Sequence, residues 1–456
     1  MSRCAYTGTM THPSETHPVI KENARDTMEV CREQSGSVTD HRHNFLLLVA
    51  YQVVVRTGWI FKTESIVMPA VLDLTGAGAW MRAILPTLNR FGQTIPPLLY
   101  SGVLSQQRYK KHSLAVATLV MGMCFLVLAI NWTYGIEKRV PLWFGGLFLV
   151  AYAFFFVANG LNQLTFGTLQ GKLIARDRRG GLLLYSNLIG VGVAITAVIL
   201  LLPRWLSATA AHFDWIFGFT AACFLSSTLI VLRLKEKAGD SPQNDAGRML
   251  QVAAFWQCFR NDRHLRRISV VGACLGSSLI LFPHYQALAR ERLGLGLDHI
   301  VLWLVVQNVG TALFSIPAGW LADRSGNRFV LRLCTGLLLV GPILAWWLSQ
   351  HPGAVTTGFA SVFFFVGLTP VCIRVISNYA LELTNTEHHP RYLSLLGLFT
   401  GVPVMVLSPV MGILVDWVGF DVVFGSMIFS TAVGWLMTFR IIEPRHITEP
   451  LCPPEN

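Results

Sequence analysis

Charged residues are scarce in this chain. Asp, Glu, Lys and Arg make up 13% of the 456 residues, against 53% hydrophobic; soluble domains usually carry about 25% charge. A chain this long could form several soluble domains, and the shortage of charge excludes that reading. Cysteine patterning is equally thin. The cysteines stand at 4, 31, 124, 223, 258, 274, 334, 372 and 452, with no C-x-x-C pair. Such spacing excludes a zinc site and a disulfide framework, and leaves the cysteines as small buried hydrophobes. There is no H-E-x-x-H, no G-x-G-x-x-G opening a helix after a strand, and no Walker-type loop. Those absences exclude the common routes to metal, dinucleotide and phosphate chemistry. Neither a cofactor, a metal nor an enzymatic activity is expected. A cleavable signal peptide is not expected either, because the first apolar run starts at Phe45, after a polar stretch.

What the chain does have is long apolar runs. A bilayer-crossing helix needs about 20 such residues, and twelve runs qualify. The first six are 45–72, 79–103, 113–131, 141–169, 182–203 and 214–233; the second six are 268–289, 299–321, 330–349, 356–382, 393–416 and 420–440. The fold class expected is an all-α membrane protein with twelve transmembrane helices in two pseudo-symmetric six-helix bundles. Residues 1–43 read as a disordered cytosolic tail, 44–233 as the first bundle, 234–267 as a polar linker, 268–441 as the second bundle and 442–456 as a second tail.

The net charge of +11 does not signal nucleic acid, because the basic residues gather on no single polar domain. They lie in short loops. Of the 36 Lys and Arg residues, 26 fall on the side of the two termini and five on the other. That bias places both termini in the cytosol. The halves also echo each other. Phe213-Asp214-Trp215-Ile216-Phe217-Gly218 opens the sixth span, and Phe420-Asp421-Val422-Val423-Phe424-Gly425 opens the twelfth. Paired six-helix repeats are a common plan among transporters.

Between the eighth and ninth spans the chain reads Gly319-Trp-Leu-Ala-Asp323-Arg324-Ser-Gly326-Asn-Arg328. This loop resembles the G-x-x-x-D-R-x-G-x-R cytosolic loop of the major facilitator superfamily. Gly319 would permit close helix contact, and Gly326 suits a tight turn. The first half holds a degraded copy, Gly102 to Lys111, with Gln106 where the family has Asp. The resemblance covers about residues 45–441 and is specific for fold. It implies a gating loop formed by Gly319, Asp323, Arg324, Gly326 and Arg328. It also implies a central cavity from which every third helix is excluded. Spans three, six, nine and twelve indeed carry no charge in their central parts. The location implied is a bacterial inner (plasma) membrane.

Charges at membrane depth cost roughly 2.5–3.5 kcal/mol each on insertion scales and so mark functional candidates. Arg56 and Arg90 fall near the midplane of spans one and two, and Arg374 lies in span ten. Glu64 lies farther along span one, and Lys62 is expected to reach outward to water. Asn162 and Gln163 share a face of span four, Gln307 and Asn308 sit in span eight, and Asn378 follows Arg374 by one turn. His284 follows Pro283, where a kink is expected. The expected substrate site comprises Arg56, Arg90, Asn162, Gln163, His284, Gln307, Asn308, Arg374 and Asn378. Embedded amides also serve as interhelical glue, and a lone His as a structural residue. Glu64 is the candidate proton carrier. The function expected is secondary transport of a small solute, with an anion favoured by the arginines. A same-fold exporter of neutral or amphipathic compounds is the alternative; a multipass enzyme or a receptor fits less well. Expected partners are the solute, protons as coupling ion and the lipid bilayer, with no nucleic acid and a monomeric state.

Overall fold

The structure is a computed structural model that describes residues 42–76, 78–105, 107–174, 176–206, 211–237, 259–260, 262–351, 358–383 and 389–443. The N-terminal tail to residue 41, residues 238–258 of the linker and the tail beyond Glu443 lie outside them. Among the described residues, eleven helices are long and apolar enough to cross a membrane. A twelfth, Ala79–Ser105, is long enough at 27 residues but carries Arg82, Asn89, Arg90 and three prolines. Its apolar content is low because one of its faces is polar.

The first six helices are α1 (Arg42–Phe61, continued by Val67–Leu74), α2 (Ala79–Ser105), α3 (Lys110–Thr133), α4 (Pro141–Leu173), α5 (Arg176–Trp205) and α6 (Phe213–Leu232). The second six are α7 (Arg263–Ile280 and Phe282–Leu293), α8 (His299–Ser325), α9 (Asn327–Leu338 and Val340–Ser349), α10 (Ala360–Val366 and Thr369–Glu382), α11 (His389–Val418) and α12 (Phe420–Met437). With twelve crossings, α1 begins and α12 finishes at one end of the bundle, called here the terminal end. The opposite end is the far end.

Several element boundaries differ from the sequence expectation, and two of the differences have a clear local cause. Helix α7 starts at Arg263 and not at 268, because Asp262 caps it: its carboxylate accepts from His264 N at 2.7 Å and Leu265 N at 3.1 Å. The first span, expected to be continuous over 45–72, is broken at residues 62–66. The run Lys62-Thr63-Glu64-Ser65 is the cause. The Thr63 hydroxyl donates to Ile60 O at 2.6 Å, and Thr63 O accepts from Val67 N at 2.9 Å. The freed backbone groups are thus satisfied locally, the condition for a broken helix at membrane depth. Near Pro283 the interruption matches the expected kink, with α7 resuming at Phe282.

Glycines set the tightest crossings, and they do so in repeat-related pairs. A Cβ at Gly92 of α2 would sit 2.3 Å from the Phe156 backbone of α4, and one at Gly160 would sit 2.0 Å from Gly92 O. In the second half, a Cβ at Gly310 of α8 would sit 2.3 Å from Phe364 O, and one at Gly367 of α10 would sit 2.3 Å from Gln307 O. Only glycine permits such backbone approach. Around the first crossing lies an aromatic core, where Phe155 meets Phe125 at 5.1 Å and Phe224 at 5.5 Å between ring centroids.

Candidate functional site

Between the two halves lies a cavity of about 640 Å³, within the usual range for a small-molecule site. Its walls come from α1, α2, α4, α5, α7, α8 and α10. Among the described residues, α3, α6, α9 and α12 contribute none of it, as the period of three anticipates.

The break in α1 places the first polar groups. Lys62, expected to reach outward to water, is instead only 1% exposed. The turn at 62–66 aims it inward, and aromatic faces hold its ammonium: Nζ lies 3.4 Å from the Trp59 ring centroid, 4.3 Å from Phe156 and 4.9 Å from Phe155. Two residues on, the Glu64 carboxylate accepts from Asn89 Nδ2 at 2.5 Å and from the Tyr152 hydroxyl at 3.5 Å. The cations that act on it are Lys62 and Arg90. Arg56 pairs elsewhere, donating to Asn187 Oδ1 of α5 at 2.6 Å. Across the cavity, Arg374 of α10 is close enough to Arg56 for the two like charges to interact. No ion pair reaches Arg56, Arg90 or Arg374 among the described residues.

Eight of the residues singled out from sequence line this one cavity: Arg56, Glu64, Arg90, Asn162, Gln163, Gln307, Asn308 and Arg374. Three of the amides are already engaged. Asn162 Nδ2 donates to Tyr51 Oη at 2.7 Å and Thr118 Oγ1 at 2.9 Å, and Asn308 Nδ2 donates to Leu304 O at 2.8 Å. Gln307 accepts from the Ser65 hydroxyl at 2.8 Å, a bond between the halves. The cavity wall does not include His284, which is fully buried, or Asn378, which is exposed one turn beyond Arg374. Lys62, Asn89 and Asn187 were outside the expected site. Four consecutive polar residues within an apolar span were the available signal for Lys62. A lone Asn in α5 gives no such signal.

The far end is shut. Ser408 Oγ of α11 donates to Ala83 O of α2 at 2.6 Å, and Thr87 Oγ1 donates to Met405 O at 3.1 Å. Arg82, buried on α2, bridges Asp73 at 2.7 Å and Glu291 of α7 at 3.0 Å, and Arg290 lies 3.7 Å from Asp73. Toward the terminal end the walls open to solvent, where Gln163, Asn187 and Arg374 are exposed.

The expected gating loop lies at the terminal end. Gly326 takes φ +84° between α8 and α9, and a Cβ there would meet Glu443 Oε1 at 2.6 Å. The tight turn is thus present, and the glycine also makes room for Glu443. Arg324 covers the Trp320 ring at 4.9 Å, and Arg328 is half-buried. Asp323 stands in the last turn of α8, with its side chain outside the described set. Gly319 does not make the close contact expected of it: a Cβ there would have nothing within 4 Å.

The site is thus a polar cavity between two six-helix halves, shut at one end and open at the other. Residues 279–451 match the Major Facilitator Superfamily. Among solved structures the nucleoside transporter NupG is similar with a TM-score of 0.66 at 12% identity, covering 88% of this chain and 100% of that one. A bacterial homologue of the iron transporter ferroportin, in its inward-facing state, gives 0.64 at 15% identity, covering 87% and 98%. The E. coli fucose:proton symporter FucP gives 0.55 at 14% identity, covering 88% and 98%. No curated protein sequence matches the chain significantly. The family match thus covers part of the second half of the chain, and the solved structures share its fold along most of its length.

Proposed function

We propose that this protein is a secondary transporter that moves a small anionic solute by alternating access. The carrying observation is the charge of the cavity wall: four cations, Arg56, Lys62, Arg90 and Arg374, against one carboxylate, Glu64. None of the three arginines makes a close ion pair among the described residues, and an incoming carboxylate or phosphate would supply one. A guanidinium offers such a group a two-pronged hydrogen bond.

Glu64 carries the coupling proton in this reading. It faces the cavity, and its hydrogen bond from Asn89 would persist if a glutamine replaced it. Proton coupling also draws support from the fucose neighbour, which is a proton symporter. The basic loops on the terminal side put that end in the cytosol, so the conformation described is open inward. One chain contains both halves of the cavity, which favours a working monomer in a bacterial plasma membrane.

Purified protein in liposomes, screened with pooled anionic and neutral metabolites, tests the reading. Arg90→Gln and Arg374→Gln should each weaken uptake of the anion by about 10–100-fold, the worth of a hydrogen bond to a charged group. Unchanged anion uptake in both variants would sink the anion site. Glu64→Gln should abolish pH-driven accumulation while exchange of solute for solute persists. Accumulation that survives in Glu64→Gln would remove Glu64 as the proton carrier.

A further inference from the structure

A second concavity, of about 690 Å³, lies outside the transport path. It is formed by the end of α2, the first half of α3 and the middle of α4, and it shares no residue with the central cavity. Helix α4 divides the two, with Asn159, Asn162 and Gln163 turned to the central cavity and Phe154, Val157 and Leu161 to the groove.

The groove is polar at its terminal end and apolar deeper in. Arg108, Tyr109 and His112 form its mouth, and all three are exposed. Tyr100, Gln107 and Ser113 line the wall beside them and satisfy one another. Gln107 Nε2 donates to Tyr100 Oη at 2.9 Å, Tyr100 Oη and Ser113 Oγ lie 3.1 Å apart, and the Ser113 hydroxyl donates to Gln107 Oε1. No hydrogen bond or ion pair reaches the Arg108 guanidinium among the described residues. The α3 N-terminus takes no part in the mouth, because Lys110 N and Lys111 N donate to Glu236 at 3.0 and 2.9 Å. Below the mouth come Val116 and Val120, ~9 and ~15 Å along the helix by its rise per residue. Val116 is 59% exposed and Phe154 60% exposed. At that depth the surrounding medium is hydrocarbon.

We propose that this groove is a binding site for an anionic phospholipid of the terminal-side leaflet. The phosphate sits between Arg108 and His112, and one acyl chain lies along Val116, Val120 and Phe154. Charge complementarity at the mouth and an apolar channel below it match the two parts of one lipid and no water-soluble anion. Basic pockets between transmembrane helices bind anionic head groups by this chemistry, and Tyr109 stands where amphipathic rings favour the membrane interface. A lipid there packs against α2 and α4, the helices that cross at Gly92 and Gly160, and so braces the first half.

Native mass spectrometry on the delipidated full chain tests the site. The probes are phosphatidylglycerol, phosphatidylcholine with the same chains, and glycerol 3-phosphate as a head group without chains. Phosphatidylglycerol should bind at least about tenfold tighter than phosphatidylcholine, and glycerol 3-phosphate should not be retained. The double variant Arg108→Gln/His112→Gln should lose that preference. Val116→Trp, which fills the groove while keeping the mouth, should weaken both lipids. All three positions are exposed, so each variant should keep the thermal midpoint of the lipid-free protein. Equal binding of the two lipids, or an undiminished preference in the double variant, overturns the proposal. Retention of glycerol 3-phosphate as tight as that of phosphatidylglycerol would show an anion site without a lipid channel, and overturns it too.

Discussion

Closure of the far end depends on a contact that one residue can block. Gly412 of α11 lies against α2 so closely that a Cβ there would sit 2.3 Å from Ala83 Cβ and 3.0 Å from Ala79 O. Carbon atoms pack comfortably at ~3.5–4.0 Å. Even a methyl group would therefore force the two helices ~1.2 Å or more apart, and Gly412→Leu would force them further. Overpacking of this kind costs ~1–3 kcal/mol. The cost falls only on the arrangement in which α2 and α11 touch, because the surface is free once they part. Taking ~2 kcal/mol, the ratio of far-end-closed to far-end-open molecules should fall about 30-fold. Spin labels on Lys138→Cys and Asp298→Cys report the change. Both positions are exposed, and they flank the far end from opposite halves. In the Gly412→Leu background their distance distribution should move to longer values. Gly397→Leu, on the same helix, supplies the control, since a Cβ at Gly397 has nothing within 4 Å. A folded Gly412→Leu protein with the distances of its parent, and with full transport, would refute the claim that this contact closes the far end.

Three further outcomes follow from the same geometry. Thr63→Val removes the hydroxyl that donates to Ile60 O; it should lower stability by about 1 kcal/mol, seen as a lower thermal midpoint in detergent. Lys62→Met keeps the length of the side chain and its contact with the aromatic faces of Trp59 and Phe156. It should leave the thermal midpoint within a few degrees while solute uptake falls at least about tenfold, because a charge is lost from the cavity wall. Gly310→Ala forces a Cβ against Phe364 O and should cost ~1–3 kcal/mol by overpacking, measured as lost yield of monodisperse protein and a lower midpoint.

The parts of this fold that are legible in the sequence are those governed by solvent. Apolar length reveals the spans, and the central parts of α3, α6, α9 and α12, which carry no charge, stay off the cavity. Depth along the helix brings Arg56, Arg90 and Arg374 to attention, and all three line the one cavity. What hydropathy does not reveal is the backbone's own response to polar residues. A run such as Lys62-Thr63-Glu64-Ser65 reads as an unusual stretch of helix until Thr63 is seen to bond with Ile60 and Val67 across the break. That break reverses the expected direction of Lys62. His284 shows the opposite failure. A polar residue in an apolar span reads as a site candidate, yet it lies buried outside the cavity wall. Partner choice is also hidden from helical spacing: Glu64 bonds Asn89, and Arg56 bonds Asn187.

The arrangement of charge suggests how the proposed solute would drive the cycle. Arg56 belongs to α1 and Arg374 to α10, so they line the cavity from opposite halves, and Arg374 is exposed toward the terminal end. Closing the terminal end brings those halves together there. With the cavity empty, closure would press two like charges toward each other as water leaves, and Coulomb repulsion grows as the local dielectric falls. A bound anion between them reverses the sign of that interaction. The solute then stabilises the occluded state more than the open one, which is the differential affinity a ligand needs to shift an equilibrium. By the same reasoning a neutral analogue could occupy the cavity without promoting closure. In the doubly labelled protein, anionic solute should shorten the distance between exposed terminal-end positions such as Lys172 and Arg324, and Arg374→Gln should blunt that shortening. A neutral solute that closes the terminal end as fully as an anion would disprove this coupling.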